Sequence, residues 1–154
     1  MARVFAAESP GTTTFRIEAR HAMSPANESE LRLRPESAAP SVARAAIAAA
    51  AVGLPAVLVA DAELLTSEVV SNAVRHAELD PSQDIVVRIV ADGYVRVEVV
   101  HQGPAFEPDL RRAGSGSSGW GLLLVDAVAT SWGVEREGSG NRVWFEVGAR
   151  RSEG

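Results

Sequence analysis

Glu68 and Asn72, a carboxylate and an amide, stand four residues apart in residues 64–77, LLTSEVVSNAVRHA. The apolar residues of this segment recur at helical spacing, so we expect a helix that carries Glu68 and Asn72 on one face, beside a buried stripe. Leaving such a group buried without a partner costs about 1–3 kcal/mol. Either a hydrogen bond within the protein satisfies the pair, or a ligand does.

A glycine-rich segment, GSGSSGWG, is the second feature that indicates chemistry. Its glycines let a backbone approach a ligand closely, and the amide groups that open the helix expected next suit a phosphate group. So long a loop inside a compact domain is typical of a functional lid or of disorder. The glycines are Gly114, Gly116, Gly119 and Gly121.

Composition excludes several kinds of site. All 15 basic residues are arginine, which excludes the lysine of a P-loop, of a Schiff base or of a kinase strand. The absence of cysteine excludes disulfides, thiolate nucleophiles and cysteine metal sites. The net charge of −5 argues against a nucleic-acid surface, and the three histidines lack metal-ligand spacing.

The hydrophobic patterns predict a domain at 31–147, between a flexible N-terminal arm at 1–30 and a tail at 148–154. We expect an α+β two-layer sandwich, with about three helices on one face of a mostly antiparallel sheet of four to five strands. Ser41 is the expected N-cap of the first helix, and a short strand is expected in the arm near 13–17. The domain elements expected are strand 31–34, helices 41–52 and 57–77, hairpin strands 84–90 and 94–100, helix 120–130, and hairpin strands 132–135 and 142–147.

Four segments, taken in order, resemble the GHKL (Bergerat-fold) ATPase superfamily. Within it, the chain is similar to the anti-sigma factor serine kinases, in particular to short single-domain ATP-binding regulators. The resemblance covers 31–147. The segments that carry it are 64–77, VRVEVVHQGPAF at 95–106, GSGSSGWGLLLVDAVATSWGV at 114–134 and GNRVWFEV at 140–147.

The resemblance implies a nucleotide site for ATP with Mg²⁺. Asn72 would coordinate the Mg²⁺ that bridges the phosphates, and Glu68 would orient or deprotonate the hydroxyl that attacks the γ-phosphate. Gly103 would allow close approach beneath the adenine. The four glycines of the GSGSSGWG segment would form a lid over the phosphates, and His101 and Leu122 complete the nucleotide-binding set.

His101 departs from the pattern of the family. The family has an aspartate there, whose carboxylate accepts the adenine amino proton, whereas a neutral imidazole offers one acceptor nitrogen and a protonated one offers none. Ala105 also replaces a second glycine of that segment. Two functions therefore stay open. One is a working kinase, and the other is a non-catalytic binding module with weak or no nucleotide binding.

The partners implied by the resemblance are a sigma factor and an anti-sigma-factor antagonist that carries the phosphorylated serine. Transcription would be regulated by partner switching, without direct nucleic-acid contact. We expect no membrane segment, and residues 31–34 offer an edge strand through which a homodimer can form. Because the first residues show no charged segment followed by an apolar run, we expect a cytoplasmic protein.

Overall fold

The computed structural model describes residues 5–9, 12–16, 27–105 and 120–148. Seven strands and three helices lie in these ranges. The strands are β1 (Phe5–Ser9), β2 (Thr12–Arg16), β3 (Glu28–Leu33), β4 (Ile85–Ala91), β5 (Val95–Gln102), β6 (Ser131–Glu137) and β7 (Gly140–Val147). The helices are α1 (Ala39–Ala50), α2 (Ala56–His76) and α3 (Trp120–Val128).

Five strands form one antiparallel sheet in the order β3-β4-β5-β7-β6. The three helices pack with one face of it around a single hydrophobic core, which confirms the predicted α+β sandwich. β3 lies at one edge of the sheet, as the sequence predicted. The strands β1 and β2 pair with each other in a separate two-stranded sheet, and β2 lies against β6.

Alternating side chains in the middle of β4 and β5 define the two faces of the sheet. Val87, Ile89, Val97 and Val99 are fully or almost fully buried on the helix side. The residues between them are charged and point to the other side, which we call the outer face. On the outer face the glutamates and arginines pair with each other across the strands, as Arg88 does with Glu30, Glu98 and Glu137.

Several predicted boundaries are shifted. The first helix begins at Ala39 with Pro40 in its first turn, so the prediction of Ser41 as N-cap was wrong. A proline fits there because the first amide groups of a helix have no partner within it. The second helix and the central hairpin lie as predicted, within two residues at each end, and the third helix ends at Val128.

Long-range pairing extends the other strands. β3 begins at Glu28, three residues earlier than predicted, because Glu28 lies opposite Val90 of β4. β6 continues to Glu137 and β7 begins at Gly140, so the closing turn is shorter than predicted. In the predicted arm, β1 and β2 form a hairpin, and the strand expected near 13–17 corresponds to β2. Among the described residues, no helix is both long enough and apolar enough to cross a membrane.

Candidate functional site

Helix α2 presents Glu68 and Asn72 at the margin of its buried face. Asn72 follows Leu65 by seven residues, close to two helical turns, so its side chain leaves α2 near the direction of the fully buried Leu65. Glu68 lies one turn earlier on the same side, and both residues are partly buried. α2 packs against α3, β5 and β7.

The amide oxygen of Asn72 is the chemically unsatisfied atom of this region. Oδ1 is buried and has no hydrogen-bond partner among the described residues. Such an acceptor costs about 1–3 kcal/mol when nothing occupies it. An amide oxygen is a ligand that a hard cation such as Mg²⁺ accepts readily, so Asn72 fits the role of a metal ligand in chemistry and in burial.

Glu68 also lacks a hydrogen bond and an ion pair within the part of the chain that the structure describes. The described residues thus provide no structural hydrogen bond for either member of the pair. They also contain no cluster of three or more metal-ligating side chains. A cation at Asn72 would share this single protein oxygen with oxygens of a ligand.

Three other buried polar side-chain atoms have no partner among the described residues. Arg142 Nε and Trp144 Nε1 belong to alternate residues of β7 that point to the outer face. Thr66 Oγ1 lies on the fully buried side of α2. Asn72 Oδ1 lies one helical turn from Glu68, whose carboxylate has no partner among the described residues.

A row of three polar side chains crosses the sheet near the end of β5. His101 lies opposite Asn141 of β7, and Asn141 lies opposite Arg136 of β6. All three point to the helix side, which is otherwise apolar along these strands. His101 is 7% exposed and Asn141 is 2% exposed. Polar groups buried to this degree need partners. His101 has the carbonyl of Gln102 at the end of β5, and Asn141 has the carbonyl of Pro104 in the loop that follows.

The loop after β5 is held by hydrogen bonds from the closing hairpin. Arg136 Nη1 donates to the carbonyl oxygen of Gly103 at 2.7 Å and to Asn141 Oδ1 at 3.1 Å. Asn141 Nδ2 donates to the carbonyl oxygen of Pro104 at 2.9 Å. Gly103 has φ +136°, a conformation that side-chain-bearing residues rarely adopt. A Cβ added at Gly103 would lie 3.7 Å from the carbonyl oxygen of Ala77, so this loop passes the C-terminal end of α2.

Burial favours the neutral form of His101. Its Nδ1 lies 3.0 Å from the carbonyl oxygen of Gln102, and because a carbonyl only accepts, Nδ1 carries the proton. Burial lowers the pKa of His101 below its ordinary value and the charge of Arg136 lowers it further, against the opposing effect of the Gln102 hydrogen bond. At neutral pH the imidazole is therefore uncharged, and Nε2 is its acceptor nitrogen.

α3 brings the segment after the glycine-rich stretch to this region. It packs against α2, and Leu122 is partly buried against the core. Gly121 lies in its first turn. Gly114, Gly116 and Gly119, and with them the predicted lid, lie outside the described residues.

Sequence reasoning missed Arg136 and the contacts of Asn141. The predicted hairpin strands, 132–135 and 142–147, leave Asn141 in the closing turn, whereas it lies in β7. Arg136 had a usable signal: Trp132, Val134 and Arg136 alternate in β6, so the arginine falls on the inward face. A charged residue at an inward position indicates a partner or a ligand.

A cavity of about 310 Å³ lies elsewhere, between β3, β4 and β5. Its charged lining includes Glu30, Arg88, Arg96 and Glu98, which already pair with one another. The arginines that line this cavity therefore already have carboxylate partners and offer no unpaired positive charge to a ligand.

A model of the histidine kinase-like ATPase domain matches residues 31–147, so the chain belongs to that family, and the predicted superfamily is confirmed. No curated protein matches the sequence.

One solved structure to which the chain is similar contains the RsbU and RsbW domains of Rv1364c from Mycobacterium tuberculosis. The TM-score is 0.61 and the sequence identity 22%, over 81% of this chain and 33% of that chain. This chain thus spans about a third of the length of that structure's chain, and at this identity the likeness is one of fold.

Proposed function

We propose that this protein is an ATP- and Mg²⁺-dependent protein serine kinase that acts as an anti-sigma factor. The observation that carries the proposal is the buried Oδ1 of Asn72, one helical turn from the carboxylate of Glu68, both without a partner among the described residues. Family membership supports nucleotide binding. The resemblance of the 64–77 and 114–134 segments to anti-sigma factor serine kinases, together with a fold shared with a structure that includes an RsbW domain, supports the narrower assignment.

Each member of the pair has a separate role in phosphoryl transfer. Asn72 would hold Mg²⁺, which when bound neutralises charge on the phosphate oxygens. Glu68 would accept the proton of the attacking serine hydroxyl. The serine oxygen then forms a bond to the γ-phosphorus, the bond to the β–γ bridging oxygen breaks, and ADP leaves. The serine belongs to an anti-sigma-factor antagonist, and a sigma factor is the second partner.

Calorimetric titration with Mg-ATP up to millimolar concentration tests the nucleotide part. We expect saturable binding by the wild type and by Glu68→Ala, and its loss in Asn72→Ala. Glu63→Gln is a matched control, because Glu63 is a partly buried carboxylate on the same helix. Absence of wild-type binding would overturn the kinase assignment.

Transfer of labelled γ-phosphate to an antagonist serine tests the catalytic part. Glu68→Ala should abolish transfer while retaining nucleotide, whereas Asn72→Ala should lose both and Glu63→Gln should lose neither. Removal of a general base typically lowers the rate by about 10²–10⁴-fold. Equal activity in all four proteins would show that the assigned roles are wrong.

A second candidate function is a binding module that acts through protein partners without nucleotide. The neutral, buried imidazole of His101, in place of the family's carboxylate, favours it. His101→Asp discriminates the two functions, because it restores a carboxylate acceptor. Under the binding-module hypothesis this variant gains Mg-ATP affinity. An unchanged affinity would show that His101 is not the cause of weak binding.

A further inference from the structure

Arg136 differs from the arginines of the outer face in having no carboxylate partner. Arg88, Arg96 and Arg142 each pair with at least two glutamates. Within the described ranges, the hydrogen bonds of Arg136 go to two uncharged oxygens, those of Gly103 and of the Asn141 side chain. A partly buried cation committed to uncharged oxygens points to a role in holding the groups that carry them.

The Gly103 carbonyl belongs to the turn Gly103–Pro104, which has little support of its own. Pro104 has no amide proton to donate. The amide of Gly103 reaches the carbonyl oxygen of Ser139 at 3.4 Å, the long end of hydrogen-bond range. By contrast, the bonds from Arg136 and Asn141 to the two consecutive carbonyls measure 2.7 Å and 2.9 Å. The conformation of the turn, with Gly103 at φ +136°, therefore depends on these two side chains.

We propose that Arg136 is a positioning residue of the nucleotide site, which holds the turn Gly103–Pro104 against the β6–β7 hairpin and so fixes the base end of the pocket. The inference rests on the proposed function, because it concerns the same site. Arg136 acts by holding Gly103 and does not itself contact the nucleotide. Asn141 shares the task, since it accepts from Arg136 while it donates to Pro104.

The charge of Arg136 provides a second, separable effect. It faces His101 from β6, whereas the neighbour of His101 on β7 is the uncharged Asn141. Among the described residues, Arg136 is the charged group that acts on the pKa of His101. Lysine at position 136 would keep this charge and a donor nitrogen, so it can retain part of the bonding to Gly103 and Asn141, whereas glutamine would lose the charge.

Arg136→Gln and Arg136→Lys, with Arg142→Gln as the control, separate these effects. Arg142 lies in the same hairpin, beside the row of Arg136 and Asn141, but points to the outer face. Amide hydrogen exchange of Gly103 and the NMR titration of the His101 ring are measured on ligand-free protein, and Mg-ATP affinity is measured by calorimetry. All three proteins are first compared with the wild type by thermal unfolding.

In Arg136→Gln we expect exchange of the Gly103 amide to accelerate and the pKa of His101 to rise. Mg-ATP affinity should fall about tenfold, which corresponds to the loss of about one hydrogen bond. In Arg136→Lys the exchange should accelerate by a smaller factor and the pKa of His101 should stay low. Arg142→Gln should leave all three quantities at their wild-type values. If Arg136→Gln does not fold, the Lys variant decides the question through Gly103 exchange.

Unchanged exchange of Gly103 in both Arg136 variants would overturn the inference. A faster exchange with wild-type Mg-ATP affinity would overturn the claim that the turn positions the nucleotide. If the wild type itself binds no Mg-ATP, the proposed function fails and the claim of nucleotide positioning fails with it. The exchange and titration in ligand-free protein would then decide separately whether Arg136 holds the turn.

Discussion

The indole Nε1 of Trp132 donates a hydrogen bond of 2.9 Å to Oδ1 of Asp126. This bond joins the last turn of α3 to the start of β6. Trp132 is 2% exposed, so one end of the bond is fixed in the core. The orientation of α3, the helix that follows the glycine-rich segment, is thereby set from its C-terminal end.

Asp126→Ala should lower the free energy of unfolding by about 1–2 kcal/mol, because a buried indole loses a charged acceptor. Urea denaturation measures the change. In a Trp132→Phe background the same substitution should cost almost nothing, since the donor is already absent. An equal cost in both backgrounds would contradict the assigned bond.

His101 should make the stability depend on pH. Its pKa in the folded protein lies below the ordinary value of 6.5, so between these two pKa values the unfolded chain binds more protons than the folded one. Stability is then fully present above pH 6.5 and is lost as the pH falls toward the folded pKa, by at most about 1.4 kcal/mol per pH unit.

Urea denaturation of wild type and His101→Asn between pH 7.5 and 5 tests this dependence. The Asn variant should show a flatter curve over that range, because the titrating group is gone while a side chain of similar polarity is kept. Parallel curves for the two proteins would show that the pKa of His101 is not lowered in the folded state.

Gly140→Ala should be strongly destabilising. A Cβ at Gly140 would collide with the carbonyl oxygen of His101, which is fixed by the pairing of β5 and β7. We expect a loss of about 2–3 kcal/mol, as for an overpacked site. Gly138→Asn is the control, because Gly138 has open space around it and φ +60°, which asparagine tolerates. A cost for Gly140→Ala no larger than the control's would contradict the close approach.

Local patterns were sufficient to predict the elements that carry most of the core. The helix α2 and the hairpin of β4 and β5 follow from apolar spacing and from the Asp92-Gly93 turn, and both are found within two residues of the predicted ends. The pairing of Glu68 with Asn72 on one helix side needs only the helical period. These features were predictable because they depend on residues close together in the sequence.

The base end of the site was not predictable in the same way. Asn141 contacts Pro104, and Arg136 contacts Gly103, across separations of 37 and 33 residues. Those contacts depend on the strand order β5-β7-β6, in which β5 pairs with a strand that lies far from it in the sequence. Local composition does not show which strands pair. The same register places Asn141 in a strand although its neighbours favour a turn.

The central claim is that Asn72 Oδ1 is the metal ligand of a nucleotide site. The direct test is calorimetric ATP affinity with excess Mg²⁺ and with EDTA, in wild type and Asn72→Ala, with Ser71→Ala as a neighbouring control on α2. We predict that Mg²⁺ strengthens ATP binding by wild type and Ser71→Ala at least about tenfold, equivalent to 1.4 kcal/mol, and that this gain is absent in Asn72→Ala. An equal Mg²⁺ gain in Asn72→Ala would contradict the claim.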